Sequence, residues 1–317
     1  DRHWLDYRRA LLAGRREEAL RAIRDAAQLA PGSRASYNLA VEAMEAGRLE
    51  EALESLGRLE ADRGAMQGFV PYLATVATVN HLLARHDEEA NALRRMRALY
   101  PNDAWVPVLE AAHLAAVGRP EQAVERARSI ESGADPRWNA MVVARYVGDE
   151  LQVHGHTEAA REVLARSLVW LGSQPRQVTD ALPYQIERIE VLRRLGRLPD
   201  ADTAITRLVA LHSNDIRVRT LAGVVAAARN DTARSNDAST WLANRHDPYL
   251  FGLPDFGRAR IAALAGDRDG AIAFLRSARS AGRPLGVGFH QEPDLSSLRS
   301  DTAFQSLAMP WRRRAGN

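Results

Sequence analysis

Ala13-Gly14-Arg15-Arg16-Glu17-Glu18-Ala19-Leu20 is the stretch that decides the fold. A glycine that tolerates left-handed backbone can end one helix. Two acidic residues then fall in the first turn of the next helix, where they complement its positive end. An Ala five positions after the Gly keeps the second helix close to the first. Apolar residues follow three or four apart, as Leu20, Ile23 and Ala27, and form a helical stripe. The phrase returns as Ala46-Gly47-Arg48-Leu49-Glu50-Glu51-Ala52-Leu53, and weaker copies start at Gly118, Gly155, Gly196 and Gly266. In all six an Ala follows the Gly by five: Ala19, Ala52, Ala123, Ala160, Ala201 and Ala271. Two degenerate copies are expected around His86 and Asn230, with Asn91 and Ser235 at the small position. The turns are then about 33 to 41 residues apart, the period of a helix-hairpin repeat.

Composition agrees with a helical array. Hydrophobic residues are 46 % and charged residues 26 %, which is enough apolar material to fold. Ala, Leu, Arg and Glu dominate, all good helix formers. Aromatics are 6 %, and no segment sustains the Val/Ile/Thr alternation that strands need. The chain contains no Lys, so all 43 basic residues are Arg, against 40 acidic ones and a formal net charge of +3. Arg and Glu alternate at helical spacing, as in Arg16, Glu17, Glu18 and Arg21, which suits solvated faces rather than a field aimed at nucleic acid. With no Cys, disulfides, thiolate metal sites and Cys nucleophiles are excluded. The longest apolar stretch, near Leu221 to Ala228, is far short of the ~18 residues of a membrane span. The chain opens on Asp1 without a signal-peptide pattern, which suggests a mature product or a piece of something longer, and leaves the compartment open, cytoplasmic or periplasmic.

Each hairpin is too thin to bury its own apolar face, so neighbours must stack. Gly14, Ala19, Ile23, Ala26 and Pro31 resemble the tetratricopeptide repeat family, and the resemblance runs over roughly residues 1–280. It implies an all-α, right-handed superhelical solenoid of about eight helix-turn-helix repeats with a C-terminal capping helix. The expected division is an array over 1–281 and a capping segment and tail over 282–317. Three stretches break the rhythm: Asp62 to Gly68, Gly172 to Pro183, expected to project from one edge, and His246 to Pro254, expected to pack. The closing run Phe289-His290-Gln291-Glu292-Pro293-Asp294-Leu295 leads into Leu298-Arg299-Ser300-Asp301-Thr302-Ala303-Phe304-Gln305-Ser306-Leu307. It resembles the end of helical-repeat regions in bacterial multidomain signalling proteins, among them serine/threonine kinases and transcription regulators, with Thr302 where those carry Pro. Leu295, Leu298, Phe304 and Leu307 should cover the last hairpin.

No constellation names a reaction. His154-x-His156 and the pair His81 and His86 lack the i,i+4 His spacing of zinc proteases, and read as turn or surface histidines; no metal site or cofactor is assigned. Gly286-Val287-Gly288 has no Lys to serve a phosphate loop and reads as a turn, and no Gly-x-Ser-x-Gly elbow exists. Arg94-Arg95-x-Arg97 and Arg312-Arg313-Arg314 are the densest basic clusters, short of a nucleic-acid stripe. The expectation is a non-catalytic module that binds a protein or peptide, without nucleic acid or membrane insertion.

In the resembled family, first helices line the concave face. Counting from each turn carries that face onto Trp4, Arg8, Arg34, Tyr37, Met44, Glu45, Trp105, Val108, Ala112, Arg145, Asp149, Gln152, Glu190, Arg193, Arg194, Phe256 and Arg260, with Asn38 as a backbone clamp. Arg and aromatic side chains are typical interface anchors, and Arg grips carboxylates bidentately. Two other functions stay open: a ligand-sensing module that controls an attached effector, and an enzyme on a helical toroid. A buried cluster of carboxylates and His would favour the enzyme.

Overall fold

A computed structural model describes residues 2–131, 139–284 and 286–309; the Arg312 to Arg314 cluster lies outside them. Sixteen of the helices form eight antiparallel hairpins. In chain order these are α1 (Arg2–Leu12) with α2 (Arg16–Leu29), α3 (Arg34–Glu45) with α4 (Leu49–Leu56), α5 (Val70–Leu82) with α6 (His86–Leu99), and α7 (Trp105–Ala116) with α8 (Pro120–Glu131). Then come α9 (Ala140–Val153) with α10 (Thr157–Gly172), the short α11 (Arg176–Thr179), α12 (Leu182–Arg194) with α13 (Leu198–Leu211), α14 (Ile216–Ala228) with α15 (Thr232–Ala243), and α16 (Leu253–Leu264) with α17 (Arg268–Ser280). Two short helices close the described residues, α18 (Val287–Gln291) and α19 (Thr302–Ala308), separated by a 3-10 segment over Pro293–Leu298. The described residues contain no strand. The protein is an α solenoid.

Every hairpin turns in the same way. Gly14, Gly47, Ala84, Gly118, Gly155, Gly196, Asn230 and Gly266 all have φ between +57° and +82°. One residue further on, each backbone N–H returns to the carbonyl five residues earlier, for example Arg15 to Ala10 at 2.9 Å and Arg85 to Asn80 at 2.9 Å. That is the six-to-one bond of a Schellman helix end. The third turn therefore lies at Ala84, two residues before the expected His86. The small position five residues on is occupied by Glu89, not Asn91. Glu89 is 2 % exposed where the consensus Ala is fully buried, so this unit carries a carboxylate into the seam between helices. In the seventh unit Ser235 stands at the position where the clear copies have Ala, and it is as buried as they are, at 2 % exposure.

The stack comes back on itself. Arg16 Nε donates to the Gly282 carbonyl at 2.6 Å, and Arg279 Nη2 to the Ala46 carbonyl at 3.2 Å, so the last hairpin touches the first two. Gly282 has φ +96°, and a Cβ there would lie 2.7 Å from the Gly14 oxygen. Behind the seam, Arg16 Nη1 bonds Glu42 at 3.1 Å, and Tyr7 donates its hydroxyl to the same carboxylate at 3.1 Å.

Beyond Gly282 the chain turns inward. Phe289, Leu295, Leu298 and Phe304 are buried in one apolar cluster with Phe256, Leu275 and Ala278, and Leu307 packs at its edge, so the segment caps the eighth hairpin. Val287 reaches the apolar cluster of the first hairpins. Of the three breaks, the first holds a 3-10 turn whose Met66 is 1 % exposed, and the second contains α11. The third is packed only in part: Pro254 is buried, but Tyr249 stands 66 % exposed.

Candidate functional site

The segment 287–298 lies along the inner face, against α9 and α16, and is tied to α12 through Arg193. Five of the groove residues expected from sequence meet there in one charge network. Arg194 clasps Asp149 through two bonds, Nε to Oδ1 at 2.6 Å and Nη2 to Oδ2 at 3.0 Å. Glu190 receives Arg193 Nη2 at 2.9 Å, Arg260 Nη2 at 2.9 Å, and Arg194. Arg260 Nε reaches Asp294 of the C-terminal segment at 2.8 Å, and Arg193 bonds the other Asp294 oxygen. Asp294 is 1 % exposed on its side chain. Three guanidiniums thus balance the carboxylates of Asp149, Glu190 and Asp294, which satisfies the rule that buried charges come paired. Glu292 is a fourth carboxylate, 3.5 Å from Arg260 Nε. Burial pushes it up to about 7, helped by the charges of Asp294 and Glu190 and opposed by Arg260. Asp294 and Glu190 move the other way, held below the usual carboxylate range by the arginines against the cost of burial.

The remaining expected residues do not join this network. Phe256 is buried under Phe289, ring centroids 5.4 Å apart, so its ring is already covered. Arg145 Nε pairs with Glu187 at 2.8 Å. Tyr37 bonds Thr75 at 3.2 Å and meets Phe69 edge-on, while Arg34 lies 3.7 Å above the same Phe69 ring. Trp4 packs on Tyr7, and Met44 and Trp105 lean on the core of the first hairpins. Asn38 is half-buried, and Arg8 and Gln152 are exposed. A cleft of about 360 Å³ remains beside the segment, lined by Asp149, Gln152, Arg193, Arg194, Gln291 and Arg299 among others.

A second cluster corrects the view of the histidines as turn or surface residues. His81 is buried between two carboxylates: Nδ1 is 2.9 Å from Glu89 Oε1, and Nε2 is 2.9 Å from Glu150 Oε1. Glu89 also takes His86 Nδ1 at 2.9 Å and has His113 Nδ1 at 3.0 Å. Glu150, fully buried, takes His154 Nε2 at 2.8 Å and the Gln291 amide of the C-terminal segment. His290, from the same segment, stands with its ring 6.2 Å from His81 and 6.4 Å from His154. Five of the nine histidines therefore gather here. Burial opposes charge on His81, but the two carboxylates overcome it and hold the imidazole up at about 10. Against the same burial, His113, His81 and His86 hold Glu89 down at about 2, and His154 and His81 hold Glu150 low as well. Burial pushes His290 down to about 4.

Sequence reasoning missed Glu89, Glu150, His113, His290, Glu292 and Asp294. Two signals were available. Placing the third turn at Ala84 puts Glu89 where every clear copy has Ala. Glu150-x-x-x-His154 is an i,i+4 pair on one helix face, hidden by testing His154 only against His156.

The fold and this inner surface define an α solenoid of helix hairpins whose inner face is covered by the chain's own C-terminal segment. No family model and no curated protein matches the chain. Among solved structures, the type IV pilus biogenesis factor PilW is similar at 19 % identity, over 66 % of this chain and 91 % of that one, with TM-score 0.40. A tetratricopeptide repeat protein from Parabacteroides merdae is similar at 12 % identity, over 83 % and 96 %, with TM-score 0.44. The TPR domain of P58(IPK) is similar at 14 % identity, over 98 % and 97 %, with TM-score 0.25. All three TM-scores lie below 0.5, so nothing about this chain's function follows from them.

Proposed function

We propose that this chain is a non-catalytic, peptide-binding scaffold, one region of a bacterial regulatory or signalling protein, whose inner face takes short acidic segments carrying an aromatic anchor. One observation carries the reading. The chain's own segment binds there as such a ligand would, with Asp294 between Arg193 and Arg260 and Phe289 against Phe256. Guanidinium grips on a carboxylate beside an aromatic pocket are the usual chemistry of acidic-motif recognition. A partner segment of the same chemistry would compete with residues 287–298 for these arginines. The signalling context rests on the resemblance of the closing phrase around Leu298 and Phe304. On catalysis the interior divides: Glu89, Glu150, Glu190 and Asp294 are held below the usual carboxylate range, away from where an acid or base works at neutral pH, whereas Glu292 at about 7 and the buried cluster of His81, Glu89, Glu150 and His154 are the features that favour the enzyme reading. A small-ligand sensor is the second reading, favoured by the cleft beside the segment and its exposed Gln152.

The test is a fluorescently labelled peptide of residues 286–299, titrated into the full chain carrying Phe289→Ala and Asp294→Ala, which weaken the internal copy. Saturable binding is expected, and adding Arg260→Met to that variant should remove it. No saturable binding to a variant that keeps its helical circular dichroism refutes the reading.

A further inference from the structure

We propose that His81, His154, His290 and Glu150 hold one divalent transition-metal ion, Zn²⁺ by their donor set, and that the ion staples the C-terminal segment to α5 and α9. The inference goes beyond peptide binding and does not depend on it. It begins with the convergence of donors. The four residues each offer one ligand atom, and these atoms all lie within 4.8 Å of one another. They come from three separate elements: His81 from α5, Glu150 and His154 from one face of α9 and its end, and His290 from α18.

The distances suit an ion. A metal about 2.0–2.2 Å from each of four tetrahedral donors sets donor–donor edges of about 3.3–3.5 Å. Glu150 Oε1 now lies 2.9 Å from His81 Nε2 and 2.8 Å from His154 Nε2, so those edges need to open by roughly half an ångström. His290 has only to move inward, and neither of its ring nitrogens has a hydrogen-bond partner among the described residues to hold it back. Three imidazoles and one carboxylate form a borderline-soft set that matches Zn²⁺ better than Mg²⁺ or Ca²⁺, which prefer oxygen.

The surroundings are arranged as around a ligated imidazole. The nitrogen of His81 that faces away from the site bonds the Glu89 carboxylate at 2.9 Å, and His86 bonds that same carboxylate at 2.9 Å. A carboxylate on the remote nitrogen fixes the tautomer and ring orientation of a metal-bound His. Gln291 donates to the Glu150 oxygen that the imidazoles do not use, which steers Oε1 toward the three rings. Glu150 is fully buried, and a carboxylate taken wholly out of water must be paired or bind a metal.

The staple follows from chain connectivity. His290 stands four residues before Asp294, so one ion and one charge network pin the same short segment from two sides. Zn²⁺ would then strengthen the closed groove, and its removal would loosen residues 287–298.

The test uses the full chain stripped with a chelator and titrated calorimetrically with Zn²⁺ alone, then with Co²⁺ to read coordination by visible absorption. One Zn²⁺ per chain is expected, with the intense visible bands of four-coordinate Co²⁺. His290→Ala removes a ligand without orphaning any hydrogen bond, so it should keep the fold and weaken Zn²⁺ at least about 100-fold. His154→Ala should weaken Zn²⁺ likewise, while also removing the His154 bond to Glu150, and His246→Ala, an exposed control, should change nothing. Absence of binding to the stripped chain overturns the proposal and leaves only a buried ion-pair network. Binding that survives His290→Ala, whether or not His154→Ala affects it, overturns it too, because the segment is then not stapled.

Discussion

Replacing Asp294 with Ala removes the carboxylate that ties the C-terminal segment to two helices at once. The side chain is 1 % exposed, accepts Arg260 Nε at 2.8 Å and bonds Arg193 through its other oxygen. After the change both guanidiniums still hold Glu190, each at 2.9 Å, but that one carboxylate then faces three arginines and a site that was balanced carries net positive charge. Breaking a buried pair by deleting one partner costs about 3–5 kcal/mol. Glu292 softens the loss. It sits 3.5 Å from Arg260 Nε with its carboxyl pushed up to about 7, partly by Asp294 itself, so without Asp294 it ionises and takes over some of the pairing. The expected cost is therefore the lower end, about 3 kcal/mol. Two assays read it. Urea denaturation gives the change in stability, and trypsin gives the local opening, because Arg299 closes the segment and every opening exposes it. A local opening easier by about 3 kcal/mol raises cleavage after Arg299 on the order of 100-fold. Ser297→Ala, exposed in the same segment, serves as the control. A loss below about 1 kcal/mol together with unchanged cleavage would refute the view that charge holds the segment in the groove.

Gly282→Ala should open the seam between the last hairpin and the first: its Cβ falls 2.7 Å from the Gly14 oxygen at φ +96°, and overpacking of this kind costs about 1–3 kcal/mol, read as a lower Tm. Asp215 caps α14 by accepting from the Arg217 and Val218 amides at 2.8 and 3.3 Å, and its carboxyl is held below the usual range, chiefly by the Arg217 side chain. Asp215→Ala should cost about 1 kcal/mol at pH 7. A depressed folded pKa contributes stability that is present above the unfolded value near 3.8 and lost as pH falls through the folded value. The wild-type and variant denaturation curves should therefore converge below about pH 4, and a gap that stays constant down to pH 2 contradicts the assignment.

Much of the architecture was legible because it is local. Gly14, Gly47, Gly118, Gly155, Gly196 and Gly266 mark left-handed helix ends, and a helix end is decided within six residues of chain. The degenerate third unit misled by two positions, since Ala84 adopts φ +57° without the glycine that would announce it. That slip concealed Glu89, and with it the second cluster. The inward direction of Asp149, Glu190, Arg193, Arg194 and Arg260 was also readable, because helical period places them on first-helix faces. What they meet was not: Asp294 lies 34 residues beyond Arg260 and 101 beyond Arg193.

By itself the sequence determined the helix hairpins, their number and seven of their eight turns, all set by contacts between residues a few positions apart. Only the tertiary structure decided that the eighth hairpin returns to the first, that residues 287–298 fill the inner face, and that His81, Glu150, His154 and His290 converge. Those outcomes depend on small rotations between successive hairpins summed over the whole stack. No single repeat encodes that sum, and burial of charge inside the closed interior follows from it.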